Sequence, residues 1–317
     1  MKRKTKRKLL SVLAGAAAVL VLFAALFLLG HPGGFDTYIQ SAAAKLEAFA
    51  GRFEKNEHIK VGQGEELKLH FIDVGQADCT LIECGGKFML VDGGNNGDAA
   101  LVADYLKSEG VQTLDYVVAT HPHEDHVGGL DGVIETFNVE KLLIPDVAYA
   151  SKTYESVLLA AEQKQVEIIK AVAGKQYDLS ENAAFTVTSP CADYGDDLNN
   201  QSIGIRISHG SNHVLMCGDA EAKSEADMLA SGETLSAQLL KVSHHGSKTS
   251  TTEAFLDVVK PQYAVIMCGR DNEYGHPDRE TIEKLEARNI QIYRTDELGT
   301  ITAVSDGEGF VFGASGR

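Results

Sequence analysis

Thr120-His121-Pro122-His123-Glu124-Asp125-His126-Val127-Gly128-Gly129 follows directly on the apolar run Tyr116 to Ala119. The run reads as a buried strand that ends at the cluster. Residues two apart in an extended segment point the same way, so His121 and His123 can aim at one metal ion. Asp125 and His126 fall where the chain turns toward a Gly128-Gly129 helix entry, and can aim at a second. Imidazole nitrogen with carboxylate oxygen suits zinc, manganese or iron. A surface loop that happens to be rich in histidine is the plain alternative, and the density of ligand-type residues speaks against it.

Four further strand ends carry polar residues with no evident folding reason: Val91-Asp92-Gly93-Gly94, Cys217-Gly218-Asp219, Lys241-Val242-Ser243-His244-His245-Gly246-Ser247 and Tyr274-Gly275-His276-Pro277. Each alone is weak, since Asp-Gly mostly signals a turn. Lying at the same end of successive strands, they are what one shared active-site face requires.

Strands and helices alternate from Leu67 onward. Strands are expected at 67–74, 79–84, 87–91, 116–119, 141–144, 166–171, 184–188, 202–208, 213–217, 238–242, 263–267 and 290–294, with a last hairpin reaching 312. Helices are expected at 99–109, 130–137, 154–164, 222–230, 253–259 and 279–288. Two strand-rich halves with helices outside predict two face-packed sheets flanked by helices, an α/β architecture.

The N-terminus reads differently. Residues 2–8 hold six basic side chains, and residues 9–29 carry no charge. Such a run is long enough to span a bilayer, and the basic flank keeps the N-terminus cytoplasmic. The expected organisation is a signal anchor at 1–30, a helical stalk and linker at 31–66 and a globular domain at 67–317. The anchor makes this a single-pass protein of the cell membrane with its domain outside, or a secreted one if the segment is cleaved. The net charge is −16, and the first 30 residues contribute six positive charges and no acid, leaving −22 for the rest. Such a surface repels polyanions at long range, although metal ions in a site can offset this locally. Cys79, Cys84, Cys191, Cys217 and Cys268 show no ligand spacing and mostly read as small buried hydrophobes.

Together with Phe71-Ile72-Asp73-Val74-Gly75-Gln76-Ala77-Asp78 and Asn199-Asn200-Gln201-Ser202, these motifs resemble the metallo-β-lactamase fold superfamily, whose signature is HxHxDH after a strand. Within it the chain is most similar to the exported metallo-hydrolase domain of ComEC-type competence (DNA-internalisation) proteins and their free-standing relatives. The resemblance runs from about Leu67 to the C-terminus. It implies a four-layer αββα sandwich holding two divalent ions, zinc or manganese, with no nucleotide cofactor. His121 and His123 would hold the first ion. Asp125, His126 and His245 would hold the second, with His244 as the alternative to His245. Asp219 would bridge the two, and Asp92 would orient the ligand loops.

Many family members add a third histidine to the first ion, where this chain has residues 199–202, so an oxygen is expected there. His209 and His213 lie at the far end of their strands and are not expected to bind. His244 would donate a proton or hydrogen bond to the substrate. His276 would contact the leaving group or a phosphate, or else cap the helix at Asp278. Asn199, Ser202, His244 and Ser247 would hold substrate oxygens. The implied function is a phosphodiesterase or nuclease acting through a metal-bound hydroxide, with a phosphodiester substrate, DNA among the candidates, and a link to DNA uptake. The alternatives are an esterase or phosphodiesterase acting on wall polymers or small molecules, a β-lactamase, and a non-catalytic membrane-tethered binding module.

Overall fold

The computed structural model describes residues 65–316. The expected anchor and all but the last two residues of the expected linker lie outside them. Among the described residues no helix is long and apolar enough to cross a membrane.

The strands are β1 Leu67–Phe71, β2 Thr80–Cys84, β3 Lys87–Val91, β4 Thr113–Leu114, β5 Tyr116–Val118, β6 Asn138–Val139, β7 Lys141–Ile144, β8 Glu167–Lys170, β9 Gln176–Asp178, β10 Ala183–Ser189, β11 Gly204–His209, β12 Asn212–Met216, β13 Leu239–Lys241, β14 Tyr263–Ile266, β15 Gln291–Arg294, β16 Ile301–Ser305 and β17 Phe310–Ala314. The helices are α1 Ala99–Ser108, α2 Glu124–Val127, α3 Leu130–Thr136, α4 Lys152–Gln163, α5 Ala222–Ala230, α6 Glu253–Val259, α7 Arg279–Ala287 and α8 Thr295–Leu298. One sheet runs β17-β16-β1-β2-β3-β5-β7-β8 and the other β15-β14-β13-β12-β11-β10-β9; β4 and β6 pair by themselves.

Period-two alternation makes the layers. In β3, Met89 and Val91 face the other sheet while Leu90 faces the helices; in β12, Val214 and Met216 face inward and Leu215 outward. The inner core joins them to Phe71, Phe185, Val187, Ile205, Leu239 and Val265. Leu90, Val117 and Leu142 meet Val102 and Leu106 of α1, Val133 of α3 and Val157 of α4. Leu215, Leu240 and Ile266 meet Met228, Phe255 and Leu285 of α5, α6 and α7. The result is the expected αββα sandwich.

β2 and β3 close over Gly85 and Gly86, at φ 60° and 72°, the left-handed pair that a two-residue hairpin loop demands. β3, β5 and β7 run parallel, as do β12, β13 and β14. Their C-terminal ends therefore share an edge, where Asp92, Thr120, Asp219 and the 244–247 turn emerge. The first expected strand stops at Phe71, because Asp73 and Gly75 open a turn in which Asp73 accepts from Gly75 N. The short β4, β6, β9 and α8 lie below the length that periodicity resolves. All five cysteines are free thiols, four of them buried.

The turn bearing the histidines packs down through glycine. A Cβ on Gly128 would overlap the Asn95–Asn96 backbone, and one on Gly129 would overlap Gly93 O. Gly93 N also donates to His126 O at 2.7 Å. Gly128→Ala is therefore expected to lower unfolding free energy by about 1–3 kcal/mol in urea titration. Gly97→Ala, which meets open space, is expected to stay within about 0.5 kcal/mol of the parent.

Candidate metal centre

Asp92 ends β3 at φ 60°, a backbone region that non-glycine residues rarely adopt. Its N–H donates to Val118 O, and its carboxylate turns to the next strand end. Oδ1 accepts from Thr120 N, and Oδ2 from Thr120 Oγ1 and His126 Nδ1, all at 2.8 Å. Asp92 is 1% exposed and braces the ligand loop from beneath. With Nδ1 of His126 donating to a carboxylate, its Nε2 carries the lone pair.

That Nε2 lies 3.3 Å from Asp219 Oδ1 and 3.9 Å from Asp125 Oδ2. His245 arrives from the far sheet, with Nδ1 donating to Met267 O at 3.0 Å. A carbonyl can only accept, so Nδ1 carries a hydrogen, and His245 Nε2 faces Asp125 Oδ2 at 3.2 Å and Asp219 Oδ2 at 3.7 Å. One ligand atom from each of Asp125, His126, Asp219 and His245 lies within 4.8 Å of the others. Tetrahedral bonds of about 2.0–2.2 Å place ligand atoms roughly 3.3–3.6 Å apart; the nitrogen–oxygen distances here run from 3.2 to 3.9 Å, a few tenths of an ångström from that spacing. His126 Nε2 and Asp219 Oδ1 are buried without a hydrogen-bond partner. Imidazole nitrogens that face carboxylates need positive charge between them, supplied by a proton or by a metal ion that displaces it. The donor set fits a divalent ion.

Protonation responds to the same demand. Burial opposes charging of His245, but the carboxylates of Asp219 and Asp78 overcome it and raise its pKa to about 10. His126 is driven up against burial by Asp219, Asp92 and Asp125. Burial works against Asp219 and Asp125 too, yet the imidazoles hold both carboxyls below the usual range. A bound divalent ion must displace protons here.

His121 and His123 meet at 3.0 Å, Nε2 to Nδ1. Burial keeps both imidazoles neutral, as ligands must be. His121 Nδ1 faces Thr120 Oγ1 at 3.2 Å and Ser202 Oγ at 3.3 Å. Neither histidine belongs to the four-residue group. Of the segment beside this pair, Asn199 alone lines the cavity, with Oδ1 buried and unpartnered. Asn200 caps α5 through Glu221 N and Ser224 N, and Gln201 donates to Asp193. Ser202 corrects the expectation of a substrate contact: it is fully buried and accepts from Asp219 N at 3.1 Å. Ser247 is buried as well, on Thr249.

The cavity over these groups has a volume of about 660 Å³, with His123, Asp125, Asp219, His244, His245 and His276 among its walls. His244 Nδ1 lies 3.1 Å from Glu221 Oε1, and its Nε2 lies 3.7 Å from Asp219 Oδ2. His276 does not cap α7, whose N-cap is Asp278; its ring turns to the cavity. His209 is held by Ser305 and Glu65 O, and His213 by Ser208.

Asp78 and Lys241 were not among the expected site residues. Asp78 is 4% and Lys241 1% exposed, and Lys241 Nζ donates to Asp78 Oδ2. Asp78 N donates to Asp125 O, and Asp78 Oδ1 lies 3.4 Å from His245 Nδ1. The pair thus props the ligand helix and the far-sheet histidine from below. Burial opposes the ionised form of Asp78, but Lys241 and the nearby histidines hold it at about 2. A lysine in the run Leu239-Leu240-Lys241-Val242 was the available signal.

Lys241→Met strands the Asp78 charge and is expected to cost about 3–5 kcal/mol in urea titration, most of it recovered in Lys241→Met/Asp78→Leu. Calorimetry of zinc or manganese addition in buffers of different ionisation enthalpy is expected to show net proton release, largely lost in Asp219→Asn/His245→Ala.

Residues 72–270 match the family model described as the metallo-beta-lactamase superfamily. ComE operon protein 3 of Bacillus subtilis is 29% identical over 255 residues, 74% of this chain and 33% of that protein. Competence protein ComA of Neisseria gonorrhoeae is 30% identical over 234 residues, 72% and 31% of the two chains. Recombination protein 2 of Haemophilus influenzae is 29% identical over 235 residues, 73% and 28%. The chain spans about a third of the length of these curated relatives. With a family match over most of the sandwich and the signature histidines at its sheet edge, the chain belongs to the metallo-beta-lactamase superfamily.

Proposed function

We propose that the chain is a metal-dependent phosphodiesterase, tethered to the membrane by residues 9–29 with its domain outside. The observation that carries the reading is the convergence of two carboxylates and two imidazoles, with orphaned His126 Nε2 and Asp219 Oδ1, on the floor of an open cavity. Asp125, His126, Asp219 and His245 hold one divalent cation, zinc or manganese. His121 and His123, with Asn199 Oδ1 in place of a third histidine, hold a second. Bound cations of this kind supply Lewis acidity and lower the pKa of water from 15.7 to about 7.

The protein's own groups do the remainder. Asp92 fixes the His126 tautomer, and Met267 O fixes that of His245. His244, oriented by Glu221, hydrogen-bonds a substrate oxygen, and His276 stands beside it at 5.6 Å between ring centroids. The names of the relatives, competence and recombination proteins, support a nucleic-acid phosphodiester and a role linked to DNA uptake. The −22 charge of residues 31–317 favours a short substrate over long duplex DNA, and gives weight to the second reading, an esterase or phosphodiesterase on wall polymers or small molecules.

Chelation is expected to abolish turnover of bis(p-nitrophenyl) phosphate, zinc or manganese to restore it, and His121→Ala to reduce it at least about 100-fold. Full turnover by metal-free protein, confirmed by elemental analysis, contradicts the reading.

A further inference from the structure

Three rings step outward from the metal centre. The His245 ring lies 6.4 Å from that of His276 at an interplanar angle of 23°, and His276 lies 5.7 Å from Tyr274 at 21°. Tyr274 is the outermost and is 75% exposed, the most exposed large hydrophobic side chain among the described residues. Leaving an aromatic ring in water forgoes the burial that such side chains usually gain. The loop that carries the ring is tied down. Asn272 Oδ1 accepts from His276 N at 3.0 Å, and Asn272 Nδ2 donates to the carbonyls of His276 and Gly269 at 2.6 and 2.9 Å. Asp278 N ties the end of the loop to Gly246 O at 2.9 Å. A flat ring carried on a tied loop at the mouth of a cavity can stack a planar ligand without first ordering the backbone.

Charge narrows the ligand further. No lysine or arginine lines the cavity, and Glu124, Asp125 and Asp219 do. An adjoining cavity of about 570 Å³ shares His276 and holds Arg270 and Arg294; Arg294 is paired with the Asp296 carboxylate, and Arg270 donates to the Asp296 main-chain carbonyl. An extended polyanion finds a single unneutralised arginine beside the cavity and no continuous cationic track along it. A ligand with one central phosphodiester and a flat ring beside it suits both facts: the centre takes the phosphate and Tyr274 takes the ring.

We propose that Tyr274 is a stacking platform for the base next to the scissile phosphodiester, so that the cleft takes short single-stranded nucleotide diesters. This rests on the phosphodiesterase reading and names its substrate class. Paired bases in a duplex present edges, not faces, to a side chain at a cleft mouth, whereas an unpaired base offers its face.

The test measures binding separately from cleavage. Dithymidine with a non-hydrolysable methylenephosphonate linkage is titrated calorimetrically into the manganese-loaded full chain, and compared with the same diester bearing an abasic residue in place of each base. Binding of the base-bearing diester about 10-fold tighter is expected, with the preference kept in Tyr274→Phe and reduced to about 1 in Tyr274→Leu. Leucine retains apolar bulk, and the exposed position spares the fold. Equal affinity for the two diesters, no binding of either, or a preference that survives Tyr274→Leu overturns the platform. Hydrolysis of natural dithymidine phosphate is followed in parallel. Base preference without cleavage removes the phosphodiesterase reading and leaves the platform standing; cleavage without base preference does the reverse.

Discussion

Four carboxylates, Asp78, Asp92, Asp125 and Asp219, meet at one sheet edge, three of them 4% or less exposed, and one buried lysine answers them. Like charges in a low-dielectric interior are costly unless compensated. Lys241 neutralises Asp78, and Asp92 is spent on Thr120 and His126. That leaves Asp125 and Asp219 facing the Nε2 atoms of His126 and His245. The constraint is satisfied by positive charge between these atoms, and the surrounding structure is arranged to place that charge there.

The sandwich makes this possible by bringing two independent parallel strand sets to one edge. β3 and β5 deliver Asp92 and the 120–126 segment, while β12 and β13 deliver Asp219 and His245. In open parallel sheets, ligands gather at the carboxyl ends of strands, and here both sheets contribute to one site. The 244–247 turn carries His244 and His245 at positive φ, near 51° for each. Such backbone conformations cost free energy and cluster at functional sites. A Cβ on Gly246 would overlap Pro277, so the turn packs closely there.

Much of this was legible in the residues. The density of 121–126, the Asp-Gly and Gly-Asp strand ends and the paired histidines identify the edge, because each breaks an apolar run where a strand should simply turn. Alternation in β3 and β12 makes the two-sheet core readable. The sequence does not show which polar residues beneath the site turn inward. Ser202 reads as a substrate contact, yet one-dimensional spacing says nothing of the Asp219 N–H that occupies it. Lys241 is one polar residue in an apolar strand, and its partner Asp78 lies 163 residues away. β9 and α8 span three and four residues, too few for a period to register. Tyr274 opens one of the motifs, yet nothing in the residues tells that its ring stands exposed at the cavity mouth; that place comes from the loop that Asn272 ties.

Anomalous diffraction from crystals of the protein soaked in manganese or zinc, recorded at the metal absorption edge, tests the centre most directly. A peak among Asp125, His126, Asp219 and His245, within about 2.0–2.3 Å of the two imidazole nitrogens, is the expected result. A map with no metal at that position in crystals saturated with the ion would contradict it.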